Sequence, residues 1–149
     1  MIDTHSHILP GVDDGAADDA AALEMARTAL ADGVRAICAT PHMREGDYFN
    51  ERAAVLEGVS RLRERLAEAG LDLEVHAGSE VHLAPRLPER VSEGRLLTYG
   101  DTGAYLLLEC PYRTRPVGLE EAVFQLKLAG VTPVIAHPER IRYFQEDIA

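Results

Sequence analysis

The sequence has 149 residues with 6 histidines and 25 acids, and some of these fall where a divalent metal could be held. His5-Ser6-His7, Thr40-Pro41-His42, Gly78-Ser79-Glu80, Leu108-Glu109 and Ala136-His137-Pro138 each follow a short apolar stretch, and Asp13-Asp14 comes soon after the first. Imidazole and carboxylate are ligand types for Mn, Fe or Zn. In a strand, residues i and i+2 point the same way, so His5 and His7 can grip one ion, and Asp3 shares that face. A lone His-x-His or a lone Glu at a strand end says little. Convergence of five such ends on one rim is what singles these residues out as a metal cluster. His76 reads as a packed or surface histidine inside a strand, and His82, two residues past Glu80, as one on the approach to the site.

A rival chemistry is written over one of these segments. Cys38 to Arg44 is Cys-Ala-Thr-Pro-His-Met-Arg, the C-x5-R spacing of cysteine-dependent tyrosine phosphatases. Pro41 removes an N–H that such a phosphate-binding loop needs. No glycine tightens the loop, and Cys38 reads as part of a buried strand, where a thiol is a small inert hydrophobe. No Ser-His-Asp order and no Walker-type glycine loop stands out. Arg44 to Asn50 reads as a rim loop whose Tyr48-Phe49 pair either stacks on a phenol ring or packs on the next helix. Arg113 and Arg115, in a Pro-flanked loop after Glu109, carry no assignment.

The elements that would position these residues repeat. Leu30-Ala31-Asp32-Gly33, Leu66-Ala67-Glu68-Ala69-Gly70 and Leu128-Ala129-Gly130 each end a helical pattern, and an apolar stretch of strand length follows: 34–39, 71–75 and 131–136. Each glycine suits the left-handed residue that closes a helix. Val55, Val59, Leu62, Leu66 and Ala69 form one helical face, and Leu119, Val123, Leu126 and Ala129 another. The helix near 17–32 is alanine-rich, and a short one is expected near 83–94. Two further strands, Ile2 to Ile8 and Ala104 to Leu108, complete a β-α alternation that predicts a parallel α/β sheet with chemistry at its carboxyl edge. A closed eight-unit barrel takes about 250 residues, about 31 per unit, so this length holds about five βα units of a partial barrel.

Composition narrows the partners. Lys plus Arg number 15 against 25 acids, a formal charge of −10. So acidic a chain is poorly suited to nucleic acid or an anionic membrane surface. No apolar stretch approaches the roughly 18 residues of a membrane span, and the first residues do not read as a signal peptide. The 2 cysteines make no disulfide framework, and a reducing, cytoplasmic setting is the expectation. An unpaired parallel edge would invite homo-oligomers.

Asp3-Thr4-His5-Ser6-His7, Gly11-Val12-Asp13-Asp14-Gly15, Thr40-Pro41-His42, Gly78-Ser79-Glu80 and Ala136-His137-Pro138-Glu139-Arg140 together resemble the motifs of the PHP (polymerase and histidinol phosphatase) superfamily. Leu-Pro-Gly-Val-Asp-Asp-Gly with His-Pro-Glu-Arg is most similar to its bacterial tyrosine phosphatase branch, the CpsB/YwqE type, which acts in capsule and exopolysaccharide regulation. The likeness extends from residue 1 to about 144, and domain 1–149 would be the N-terminal part of such a metallophosphatase. The resemblance implies a distorted (β/α)7 barrel around up to three divalent ions, Mn first, with Fe or Zn as alternatives. It implies His5, His7 and Glu80 at one ion, with Glu80 bridging to a second completed by Glu109 and His137. Asp14 and His42 would serve a third, and Arg140 would hold the substrate phosphate. The family's late Ser-Asp-x-His strand is not in this sequence. The implied reaction is hydrolysis of phosphotyrosine by metal-activated hydroxide, with Arg140 and Arg44 adding hydrogen bonds to the phosphoryl group. The implied partner is a phosphotyrosine protein such as a bacterial tyrosine kinase. Alternatives are a phosphoesterase acting on a small metabolite such as histidinol phosphate, and a non-catalytic metal-binding remnant.

Overall fold

Three helix ends share one hydrogen-bond pattern. Val34, Leu71 and Val131 each donate backward to the carbonyl five residues earlier, Ala29, Leu66 and Leu126, at 2.9 Å. The glycines before them, Gly33, Gly70 and Gly130, have φ of 84°, 67° and 81° and donate to the carbonyl three residues back. These are Schellman closures, in which the residue after the glycine still belongs to the helix end. Strand pairing therefore starts later than the apolar stretches. The computed structural model describes residues 1–44, 46–48 and 50–147.

The elements are β1 (Ile2–Ser6), α1 (Asp19–Ala31), β2 (Ala36–Ala39), β3 (His42–Met43), α2 (Arg52–Glu68), β4 (Glu74–Ala77), β5 (Glu80–His82), α3 (Leu87–Ser92), β6 (Tyr105–Glu109), α4 (Leu119–Leu128), β7 (Thr132–Ile135) and α5 (Arg142–Asp147). The expected strand at 71–75 forms instead at Glu74–Ala77, because Leu71 completes α2 and pairing begins where Glu74 N–H reaches Arg35 O at 3.0 Å. The opening strand ends at Ser6 rather than Ile8, where the chain turns and Ile8 and Leu9 enter the core. Asp18 caps α1 by accepting from Ala21 N–H at 2.8 Å.

All paired strands are parallel, in one sheet of order β1-β2-β4 and another of order β3-β5-β6-β7. The two sheets are joined through broken strands. Between β2 and β3, the buried Thr40 bonds Ser6 on both sides, and Pro41 has no N–H to continue the ladder. Between β4 and β5, Ser79 turns aside to donate to Leu97 O at 2.7 Å. The ladder steps across at this level, with Glu80 N–H on Pro41 O and His42 opposite Glu80. Five βα positions result, as expected, in an open arc of parallel strands that makes a partial barrel.

Helices cover the outside. Ala22 and Ala26 of α1 and Val55, Val59, Leu62 and Leu66 of α2 pack with Ile37, Ala39, Val75 and Ala77 of the first sheet. Leu119 and Leu126 of α4 and Leu87 of α3 pack with Val81, Leu106 and Leu108 of the second. The hydrophobic core is thus two clusters, one behind each sheet.

Candidate metal centre

The strand ends deliver their polar residues to one cleft. His5, His7, Asp14, His42, Glu80, His137 and Arg140 line an opening of about 490 Å³, together with Tyr112 and Met25. A roomier cleft of about 790 Å³ lies between α3 and α4, but prolines, leucines and alanines dominate its wall and no histidine faces it. The candidate ligands are in the smaller one.

Glu80 is at its middle. Its side chain is 1% exposed, and imidazoles from separate strands surround it. His5 Nε2 and His7 Nε2 lie 3.3 and 3.2 Å from Oε2, His42 Nδ1 lies 3.1 Å from the same oxygen, and His137 Nε2 contacts Oε1 at 2.8 Å. Glu109 Oε2 is 3.8 Å from His42 Nδ1. Asp14, more exposed, places Oδ1 3.6 Å from His42 Nε2 and 3.7 Å from His7 Nδ1. His137 reaches inward from a left-handed backbone, φ 30°, at the start of the turn Pro138–Arg140. A non-glycine residue in that region is strained, as functional positions often are.

The burial of Glu80 opposes ionisation, but the imidazoles of His5 and His7 beside it, with that of His42, outweigh burial and hold its carboxyl well below the usual range. Burial likewise lowers the basicity of His7, and Asp13 and Glu80 outweigh it and push that imidazole up to about 10. Glu80 Oε2, Glu109 Oε2 and His42 Nδ1 are buried without a hydrogen-bond partner among the described residues. Three ligand sets each fit within 4.8 Å: His5, His7 and Glu80; His7, Asp14 and His42; His42, Glu80 and Glu109. Orphaned lone pairs of mixed N and O donors at this spacing fit divalent cations.

The family model for capsular polysaccharide synthesis proteins, CpsB/CapC, matches residues 1–149. The chain belongs to the CpsB/CapC family. It is 44% identical over 147 residues to the tyrosine-protein phosphatase YwqE of Bacillus subtilis, covering 99% of this chain and 58% of that protein. With the tyrosine-protein phosphatase CpsB of Streptococcus pneumoniae it shares 31% over 140 residues, 94% of this chain and 57% of that one. A solved structure from work on YwqE and CpsB, described there as unique metal-dependent tyrosine phosphatases, superposes with a TM-score of 0.93 at 44% identity, over 98% of this chain and 59% of that one. The chain therefore spans less than two thirds of the length of these CpsB/CapC relatives.

Not every residue singled out in the sequence comes to the cleft. Arg44 is exposed, with Nε 3.3 Å from Asp47 Oδ2, and lines a neighbouring cleft with Tyr48, Arg52 and Arg95. Tyr48 stacks on His42, ring centroids 5.3 Å apart; Phe49, its expected companion, lies outside the described residues. His82 turns its Nδ1 to Leu83 O at 3.0 Å, and His76 pairs with Glu74 at 3.1 Å. Asp3 accepts from His5 N–H at 3.1 Å rather than joining the ligand sets. Cys38 lies within β2, and burial, with the Asp3 charge, pushes its thiol up, the opposite of what a nucleophilic thiolate needs.

Asp13, singled out beside Asp14 as a possible ligand, takes a supporting role instead, and Tyr112 is a site residue that the spacing did not mark. Asp13, its side chain fully buried, accepts from His42 N–H at 2.9 Å and from Gly15 N–H at 3.0 Å, and meets His7 Nδ1 at 2.7 Å. Tyr112 donates its hydroxyl to Glu109 Oε1 at 2.8 Å.

Proposed function

We propose that this chain carries the metal centre of a protein-tyrosine phosphatase of the PHP type, hydrolysing phosphotyrosine on a protein partner in capsule or exopolysaccharide regulation. The observation that carries this reading is the Glu80 carboxylate, 1% exposed and ringed by imidazoles of His5, His7, His42 and His137. The named activities of YwqE and CpsB support it.

His5, His7, Asp14, His42, Glu80, Glu109 and His137 would hold the ions; a set of imidazoles and carboxylates accommodates Mn, Fe or Zn, and Mn is the one the family resemblance favours. When bound, such cations neutralise a phosphoryl dianion and lower the pKa of water. Asp13 fixes the ring of His7 from outside the centre, which sets which nitrogen faces inward. Arg140, with its Cζ 4.7 Å from the Tyr112 ring centroid, supplies charge-assisted hydrogen bonds to phosphoryl oxygens. Water adds to phosphorus as the P–O bond to the tyrosine oxygen breaks, and a proton from that water ends on the leaving phenolate, giving tyrosine and inorganic phosphate. Arg44, in the neighbouring cleft beside Tyr48, would meet the substrate protein further from phosphorus.

A phosphotyrosine protein, including a bacterial tyrosine kinase, is the partner this chemistry fits, and we place the protein in the cytoplasm, where the free thiols of Cys38 and Cys110 are stable. Among the described residues, no helix is long and apolar enough to cross a membrane. The open arc of strands is consistent with homo-oligomers.

Comparing phosphate release from a phosphotyrosine peptide and from histidinol phosphate, before and after chelation, tests the reading. Peptide hydrolysis that ends on chelation and returns with Mn is expected. Hydrolysis that survives metal removal, or that favours histidinol phosphate, would reject it.

A further inference from the structure

Tyr112 stands where the metal ligands meet the arginine of the same cleft. It follows β6, and its hydroxyl donates to Glu109 Oε1 at 2.8 Å. Its ring lies 5.4 Å from that of His137, and the Arg140 guanidinium carbon sits 4.7 Å from its centroid. The main chain holds the two segments together, since Arg142 N–H donates to Tyr112 O at 2.9 Å. Arg140 is exposed, and a long exposed side chain loses rotamer freedom when it is held in one place. The face of Tyr112 supplies the attraction that offsets this loss.

We infer that Tyr112 is a positioning residue with two ends: its ring holds Arg140 over the cleft to receive phosphate, and its hydroxyl holds Glu109 toward the ions. This rests on the metal and phosphate reading of the centre. The two ends separate chemically. Tyr112→Phe keeps the ring under Arg140 and frees Glu109 Oε1. Tyr112→Leu removes both.

The test uses the whole chain and two binding measurements, Mn affinity by equilibrium dialysis and inorganic phosphate affinity of the Mn-loaded protein by titration calorimetry. Tyr112→Phe is expected to bind phosphate like the parent while losing about tenfold or more in affinity for one ion. Tyr112→Leu should also lose about two- to fivefold in phosphate affinity. That second loss should vanish when Arg140→Leu is already present, because the ring then has nothing to hold. Unchanged Mn affinity in Tyr112→Phe would overturn the Glu109 end. A phosphate loss in Tyr112→Leu that is the same with and without Arg140 would overturn the Arg140 end. Tyr112→Phe, which differs by one oxygen, keeps the first end testable if the leucine variant folds poorly. A parent chain that binds Mn but no phosphate would count against the phosphatase reading and would remove the Arg140 end with it, while the Tyr112→Phe metal titration would still decide the Glu109 end.

Discussion

His7 is gripped from both sides, by Asp13 at Nδ1 and by Glu80 at Nε2, so the orientation of its ring depends on an acid that is not itself in a ligand set. Asp13 also binds the main chain of His42 and Gly15. Replacing it with Asn leaves one acceptor oxygen for three donors. Asp13→Asn should weaken Mn binding about 10- to 100-fold, measured by metal titration of the folded protein. Unchanged affinity would mean that His7 needs no outside support. Cys38 is the opposite case. With its thiol pushed up by burial, alkylation of the native protein should need higher pH than that of an ordinary thiol. Cys38→Ala should leave the proposed phosphotyrosine hydrolysis in place, and a hydrolysis present in the parent and lost in the variant would revive the thiolate reading. The candidate ligands that meet in the cleft were legible in the sequence, because imidazoles and carboxylates recurring after apolar stretches obey strand periodicity. The division of roles between Asp13 and Asp14, and the part of Tyr112, were not. Two adjacent acids in a loop have no period to tell them apart, and a single tyrosine after a strand has no spacing at all.

The same limit separates elements whose ends are coded locally from those set by contacts. The three Leu-Ala-to-Gly helix ends were readable because a left-handed closure demands glycine. The break between β4 and β5 was hidden, since it follows from Ser79 reaching Leu97, a contact across 18 residues, whereas Pro41 marks the break between β2 and β3. Those breaks bring His42 opposite Glu80, so the fold at this scale decides the site. The loop after β1 is coded by a steric demand instead. A Cβ on Gly15 would fall 2.1 Å from His7 O, and the neighbouring Ala16 N–H donates to that same oxygen at 3.0 Å. Gly15→Ala must therefore displace the Asp13-Asp14 loop from His7. It should lower both the melting temperature and the Mn affinity. Gly70→Ala is the control: nothing lies within 4 Å, so it should cost only the backbone strain of a left-handed alanine, about 1–2 kcal/mol, with metal binding intact. Thermal melts and metal titrations of the two variants distinguish a steric site effect from a general loss of stability.

Across the whole molecule, the cleft joins what the hydrophobic core leaves separate. One cluster packs α1 and α2 behind the first sheet, and the other packs α3 and α4 behind the second. His5 comes from β1 in the first sheet and His7 follows it directly, whereas His42, Glu80 and Glu109 lie on β3, β5 and β6 in the second, with His137 beyond β7. An ion held by His5, His7 and Glu80 is therefore a tie between the two sheets. Ligand that binds only the folded chain adds stability by mass action, about 2.7 kcal/mol at one hundred times its Kd. For a domain of this size each kcal/mol is worth about 2–4 °C in melting temperature. The protein should thus melt several degrees lower after exhaustive chelation than with excess Mn, and the gain should grow with the logarithm of free Mn. His5→Ala should remove most of that gain with little change in the chelated protein, because His5 contributes to the tie and not to either apolar cluster. Amide exchange should show the strands of both sheets gaining protection together when Mn is added. A melting temperature indifferent to Mn, or protection confined to one sheet, would mean that the ions sit on the fold without bridging its halves.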